Sequence, residues 1–325
     1  MIQTAKNKAA FITGVTGQVG SYLAEYLLAR DYTLYGMARR SSTPNTKNLQ
    51  NLLGKTGFTL LEGDLTDPLS IRQIVSDIAS VHKSFEIYNL GAQSHVHTSF
   101  QQPIYTFKTI LDGTTYLLEE MRRLQKTHSI KMYQASTSEM YGNVPCPITG
   151  YTETTGFAPE SPYAVAKLAA HQMCINYRYG YGLNVSCGIM FNNESPRRGD
   201  NLVTQKICKY VNAVIERKTN KKLVLGNLDS VRDWGSSLDY LRAAHMMLEQ
   251  NVPDDYVIAT GKTHSIRHLL KTAFYYIGCD YKDYVISSAQ FKRPNEVNFL
   301  LGDSTKIRQR TGWTPYYDFA TIIKE

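Results

Sequence analysis

The chain has 325 residues, 42% hydrophobic and 20% charged, with a formal net charge of +8. That length suits one large α/β domain with a smaller second lobe, and the ordinary composition excludes global disorder. No apolar run reaches the roughly 18 to 20 residues of a membrane span, and the polar stretch Met1 to Lys8 has no signal-peptide core, so the cytoplasm is the expected compartment.

Residues 9–15 (AAFITGV) read as a strand, followed by a helix from Gln18 to Arg30. Further strands are expected at 33–39 and 58–65, with a helix starting after Asp67-Pro68, where Asp suits the cap. A strand at 86–92 precedes a long helix over 103–125, and a fifth strand lies at 131–137. Ser161-Pro162 opens a helix, with proline at a position where its missing N–H is harmless. A sixth strand is expected at 183–191, and helices at 200–218, 236–250 and 265–277 follow in a more polar region.

Alternating strands and helices with nearly all-apolar strands imply a parallel, doubly wound α/β sheet of Rossmann type. Ligands then bind at the carboxyl ends of the strands. Residues 1–191 are expected to form the dinucleotide-binding domain. Residues 192–325 are expected to form mainly a smaller α/β substrate-binding lobe, with some segments returning to the main domain.

Gly14, Gly17 and Gly20 follow the first strand in the string GVTGQVG, which also holds Thr16 and Gln18. Glycine at this spacing lets the backbone turn sharply and approach a pyrophosphate at a helix N-terminus. A tight turn without a ligand gives the same spacing. The second strand ends in Arg39-Arg40-Ser41-Ser42, where an NAD-binding fold places an acid for the ribose 2′-hydroxyl. Guanidinium and hydroxyl donors suit a 2′-phosphate instead, so the expected cofactor is NADP. A solvated basic loop is the competing account. Asp64 and Leu65 end the third strand, where the carboxylate can receive an adenine amino group. Gly91 and Ala92 keep the end of the fourth strand small.

Tyr163 and Lys167 stand four residues apart at the start of a helix and share one face. A nearby ammonium stabilises a phenolate, which then acts as a base toward a sugar hydroxyl. The fifth strand ends in Ser136-Thr137-Ser138-Glu139. Its hydroxyls can hold an oxygen undergoing oxidation. Glu139 is the more informative group. A dehydrogenase or 4-epimerase needs no carboxylate there, whereas a dehydratase must remove one proton and deliver one to a departing hydroxyl.

Ten strings carry a resemblance along residues 9 to 319: GVTGQVGSYLAEYLL, RRSS, GDLTD, IYNLGAQSHV, YQASTSEMYG, SPYAVAK, FNNESPRRG, LGNLDSVRDWG, DYVIATG and RPNEV. Together they resemble the GDP-mannose 4,6-dehydratase branch of the extended short-chain dehydrogenase/reductase family. The resemblance implies Thr137, Glu139, Tyr163 and Lys167 as catalytic. It implies NADP contacts from Gly14, Gly17, Gln18, Arg39, Asp64, Leu65, Leu90, Gly91, Ala92, Gln93, Ser94, Tyr105, Lys167 and Arg198. Thr16, Gly20, Arg40, Ser41 and Asn193 complete the expected cofactor set. Asn193 replaces the family's usual histidine in FNNESPRRG while keeping a hydrogen-bonding amide, and Val19 replaces an aspartate. A homodimer or homotetramer is implied by likeness alone.

For the substrate, Asn192, Arg232 and Arg293 are candidates for a diphosphate, with Lys206, Ser94 and Glu296 beside them. Arg232 can instead pair with Asp233 or Asp229. The expected reaction oxidises C4 of GDP-mannose, eliminates water across C5 and C6, and returns hydride to C6. A later NADPH-dependent reduction of the 4-ketone is compatible with the same chemistry. The enzymatic alternative is an epimerase or reductase; the non-catalytic one is an NADP-binding scaffold, which would lack the Tyr-Lys pair. The scattered basic residues, without a polybasic tail, argue against nucleic acid. Five separated cysteines and the pairs His95/His97 and His264/His268 lack metal-ligand spacing, so no metal is expected.

Overall fold

The computed structural model describes residues 8–43, 45–288 and 296–325. Its main sheet contains β1 (Lys8–Thr13), β2 (Tyr32–Ala38), β3 (Phe58–Glu62), β4 (Ser84–Asn89), β5 (Ser129–Thr137), β6 (Asn184–Met190) and, after an excursion, β10 (Asp255–Ile258). The spatial order is β10-β6-β5-β4-β1-β2-β3, and every pairing is parallel. The order reverses beside β1, which opens the crevice where a doubly wound sheet takes its ligands.

The helices between these strands are α1 (Gln18–Leu28), α2 (Pro68–Val81), α3 (Val96–Gln101), α4 (Pro103–Phe107), α5 (Gly113–Leu124) and α6 (Pro162–Tyr181). Successive strand residues serve opposite faces: Ile12 joins the core under α1, whereas Phe11 joins the core under α2, α5 and α6. Each is fully buried, worth about 1.5–3 kcal/mol per side chain. The expected helix over 103–125 is interrupted. A π-helical turn at Lys108–Asp112 separates α4 from α5, and it brings Thr109 to the cavity described below. Periodicity alone does not show one extra residue per turn.

The remaining elements are β7 (Asn192–Glu194), α7 (Val203–Ile215), β8 (Leu223–Leu225), β9 (Val231–Ser236), α8 (Ser237–Leu248), β11 (Thr263–Ser265), α9 (Ile266–Tyr275), β12 (Val285–Ser287), α10 (Thr305–Thr311) and α11 (Phe319–Lys324). A small sheet, β11-β9-β7, and the pair β12-β8 organise a separate core with α7, α9 and α11. α8 packs on α1, and β10 adds the seventh strand to the main sheet. Among the described residues, no helix is long and apolar enough to cross a membrane.

Candidate active site

A cavity of about 480 Å³ opens at the carboxyl ends of the strands. The first turn enters it through glycine. Gly14 has φ of +67°, and a Cβ there would come within 2.8 Å of Gly91; a Cβ on Gly20 would meet the Gly14 carbonyl oxygen at 2.3 Å. Gly17 caps α1 without any side-chain bond, so the helix start faces the cavity with backbone donors suited to an anion.

Thr13 sits at the base of this turn. Its Oγ1 accepts from the N–H groups of Leu90 and Gly91 at 3.1 and 3.0 Å and donates to Asn89 Oδ1 at 2.7 Å. The Asn89 amide donates to Gln134 and Thr114 at 2.8 and 3.0 Å. This buried seam fixes the ends of β1, β4 and β5 relative to one another. Sequence reasoning passed over it, although Thr13 and Asn89 are the last residues of their strands.

Thr16, Gln18, Arg39, Asp64, Leu65, Ala92, Gln93, Ser94 and Tyr105 also line the cavity, with Gly14, Gly17, Gly20, Leu90 and Gly91. Arg39 donates to the Tyr105 hydroxyl at 2.5 Å across its rim. One Asp64 carboxylate oxygen accepts from the Thr66 backbone and hydroxyl, both at 2.9 Å. Asn192, Asn193 and Arg198 close the far wall. The departure at 193 is well accommodated: Asn193 Oδ1 accepts from Gln18 at 2.8 Å and from Ser237 at 2.9 Å. Ser195 in turn donates to Gln18 Oε1 at 2.9 Å.

The four side chains expected to carry the chemistry meet here. Ser161 caps α6 by accepting from Ala164 N–H at 3.1 Å, which starts the helix one residue before Tyr163. Tyr163, Lys167, Thr137 and Glu139 all line the cavity. The Tyr163 phenol is raised to about 12: burial pushes it up, a hydrogen bond to Thr137 draws it down, Glu139 pushes it up and the Arg198 cation draws it down. Lys167 donates to the Ala135 carbonyl at 2.7 Å, and burial pushes its ammonium down to about 8. The structure therefore adds a cation that sequence reasoning had given only to the cofactor. Arg198 bears on the phenol and is backed by Glu194 at 3.2 Å. Thr137 Oγ1 also accepts from the Glu139 N–H at 3.3 Å, which shapes the short turn carrying Glu139.

Other expected site residues lie elsewhere. Arg40 and Ser41 are exposed and outside the cavity lining. Arg232 is not part of the cavity lining: it is buried on β9, and its guanidinium donates to the carbonyls of Val231 and Val297 at 2.9 and 2.5 Å, with Glu296 at 3.8 Å. Of its proposed partners, Asp233 accepts from Thr260 and Gly261, and Asp229 pairs with Arg267. Lys206 reaches the Val224 carbonyl at 3.4 Å and, like Glu296, is not part of the lining. Arg293 lies outside the described residues. His264 and His268 face each other through Nδ1 at 2.9 Å and pack on Phe319.

The family model described as GDP-mannose 4,6 dehydratase matches residues 11–325. The chain is 43% identical over 325 residues to "GDP-mannose 4,6 dehydratase 1" of Arabidopsis thaliana, covering 98% of this chain and 88% of that protein. It is 42% identical to the "GDP-mannose 4,6 dehydratase" of Homo sapiens, covering 97% and 89%. Among solved structures, a dTDP-glucose 4,6-dehydratase from Streptomyces venezuelae superposes with a TM-score of 0.84 at 22% identity, covering 97% and 96%. A UDP-glucose 4-epimerase from Thermus thermophilus gives 0.82 at 23% identity, covering 97% and 96%. These two share the fold; the sequence relatives and the family match carry the assignment. The chain belongs to the GDP-mannose 4,6 dehydratase family.

Proposed function

We propose that this chain is an NADP-dependent GDP-mannose 4,6-dehydratase, a hydro-lyase that forms GDP-4-keto-6-deoxymannose. The observation that carries this reading is that Glu139 lines the same cavity as Thr137, Tyr163 and Lys167. A carboxylate beside an oxidising pair is what water elimination requires and epimerisation does not.

The glycine turn, the open start of α1 and the small residues Gly91 and Ala92 fit a dinucleotide. The β2 end supports NADP, since Arg39 lines the cavity there and can meet a 2′-phosphate. A nicotinamide held there would supply a hydride acceptor for C4 of the sugar and a hydride donor for C6. Tyr163 takes the proton of the 4-hydroxyl, and Thr137 holds that oxygen. The resulting ketone acidifies the C5–H. Glu139 removes this proton and then delivers it to the C6 oxygen as water departs, and C5 regains a proton as C6 gains hydride, which balances the proton that Tyr163 took from the 4-hydroxyl. We assign the lobe built on β8, β9, β11 and β12 mainly to the nucleotide part of the substrate, and we take the enzyme to act as a homo-oligomer.

Incubation with GDP-mannose and NADP, followed by mass analysis, tests the reading: loss of one water supports it, whereas a product of unchanged mass overturns it in favour of an epimerase. Titration with both dinucleotides checks the cofactor, and tighter binding of NAD would remove the NADP assignment. In Glu139→Gln, oxidation at C4 is expected to persist while dehydration falls by roughly 100-fold or more. Undiminished dehydration in that variant sinks the role given to Glu139.

A further inference from the structure

Behind the reactive groups lies a buried chain of polar side chains that the mechanism above does not use. His171 is 2% exposed and stands one helical turn beyond Lys167 on α6. Its Nδ1 lies 2.9 Å from Ser136 Oγ. Its Nε2 lies 3.9 Å from the Asp255 carboxylate on β10, and Asp255 is clamped by Arg178 at 2.5 Å. Arg178 is itself fixed on the Val185 carbonyl at 2.7 Å. The Phe157 ring packs edge-on against the imidazole at 5.7 Å.

We propose that His171 is a positioning residue: its hydrogen bond to Ser136 sets the end of β5, and with it Thr137 and Glu139, in register with Tyr163. Two successive residues of that strand end are held from the same helix. Lys167 holds the Ala135 carbonyl, and His171 holds the Ser136 hydroxyl. Thr137 follows directly, and Glu139 lies two residues further on, in the short turn that the Thr137 hydroxyl caps. The Asp255 carboxylate facing Nε2 favours a proton on that nitrogen, which leaves Nδ1 to accept the Ser136 O–H. If the ring is doubly protonated, Nδ1–H donates to Ser136 instead, so the tie survives either state.

An ion is the competing occupant, because ligand atoms of His171, Cys187 and Asp255 lie within 4.8 Å of one another. However, Arg178 already neutralises Asp255 and Ser136 engages His171 Nδ1, so the arrangement suits a hydrogen-bonded anchor. The charge balance agrees: burial opposes a charged imidazole, contact with the Cys187 sulfur and Asp255 favours it, Arg178 opposes it, and the net direction is upward.

The kinetic effect rests on the dehydratase reading, and the experiment separates the two. Wild-type turnover of GDP-mannose checks that reading by itself. In His171→Leu, kcat is expected to fall about tenfold, because small misplacements of reacting groups are costly. KM and the dissociation constant for NADP should stay within about twofold, since the anchor touches neither ligand. His171→Asn should recover most of the loss, because its side-chain amide reaches the place of Nδ1. His171→Gln should not, because its amide reaches the place of Nε2. That Asn/Gln contrast still decides the matter if the leucine variant fails to fold. Wild-type kcat in His171→Leu, or equal rates in the Asn and Gln variants, overturns the proposal. Nitrogen NMR of the histidine rings needs no substrate: Ser136→Ala should shift the His171 Nδ1 resonance, and an unmoved resonance overturns the anchor whatever the enzyme turns over.

Discussion

The Gln18 amide donates to Asn193 Oδ1 at 2.8 Å and to the Asn193 carbonyl at 3.1 Å, joining residues 175 positions apart in the chain. The bond ties the glycine turn to the segment after β6, so the two walls of the cavity hold each other. Next along that segment, Arg197 donates to Ser21 and Glu25 on α1 at 3.1 and 2.7 Å and covers the Tyr22 ring. The glycine turn, α1 and the segment after β6 are therefore joined by side-chain bonds.

Gln18→Ala removes this tie and the contact with Ser195. Net loss of one or two hydrogen bonds, each about 1 kcal/mol, should weaken NADP binding roughly five- to thirtyfold. Calorimetric titration measures it. An unchanged dissociation constant would show that the two walls are held independently of Gln18.

Arg198 draws the Tyr163 phenol downward against burial, which still leaves it raised to about 12. Replacing it with methionine removes a cation that favours the phenolate. The pH at which kcat rises should then move to the alkaline side, with the neutral-pH rate reduced. A profile superimposable on the wild type's would mean that the charge on Arg198 does not act on Tyr163 during turnover.

Lys167 is buried, and its folded-state pKa is depressed to about 8 from an ordinary 10.5. The unfolded chain therefore binds more protons than the folded one between these values. Below about 8 both states are protonated and the full cost of burying the ammonium is present. As pH rises through that window the cost is relieved, by about 3 kcal/mol at most. Lys167→Met should be more stable than the wild type near neutral pH, by a margin that shrinks toward pH 10. Urea unfolding at a series of pH values follows the margin, and a constant difference would contradict the depressed value.

The sequence by itself determined the local chemistry. Glycines every third residue after β1, Tyr163 and Lys167 four apart, and Thr137 and Glu139 at a strand end were legible because short-range backbone geometry fixes where such residues point. Apolar runs and caps likewise located β1 to β6 and α6 to within a few residues. The π-helical turn before α5 and the return of β10 to the main sheet were legible only in part or not at all, since each depends on partners distant in the chain. Tertiary structure alone decided the fate of the long polar side chains. Arg198 lines the cavity with Tyr163, Arg232 bonds the Val297 carbonyl, and Arg40 stays at the surface. A guanidinium on a flexible stem can satisfy its donors in many directions, and only the packing of elements far apart in sequence selects one.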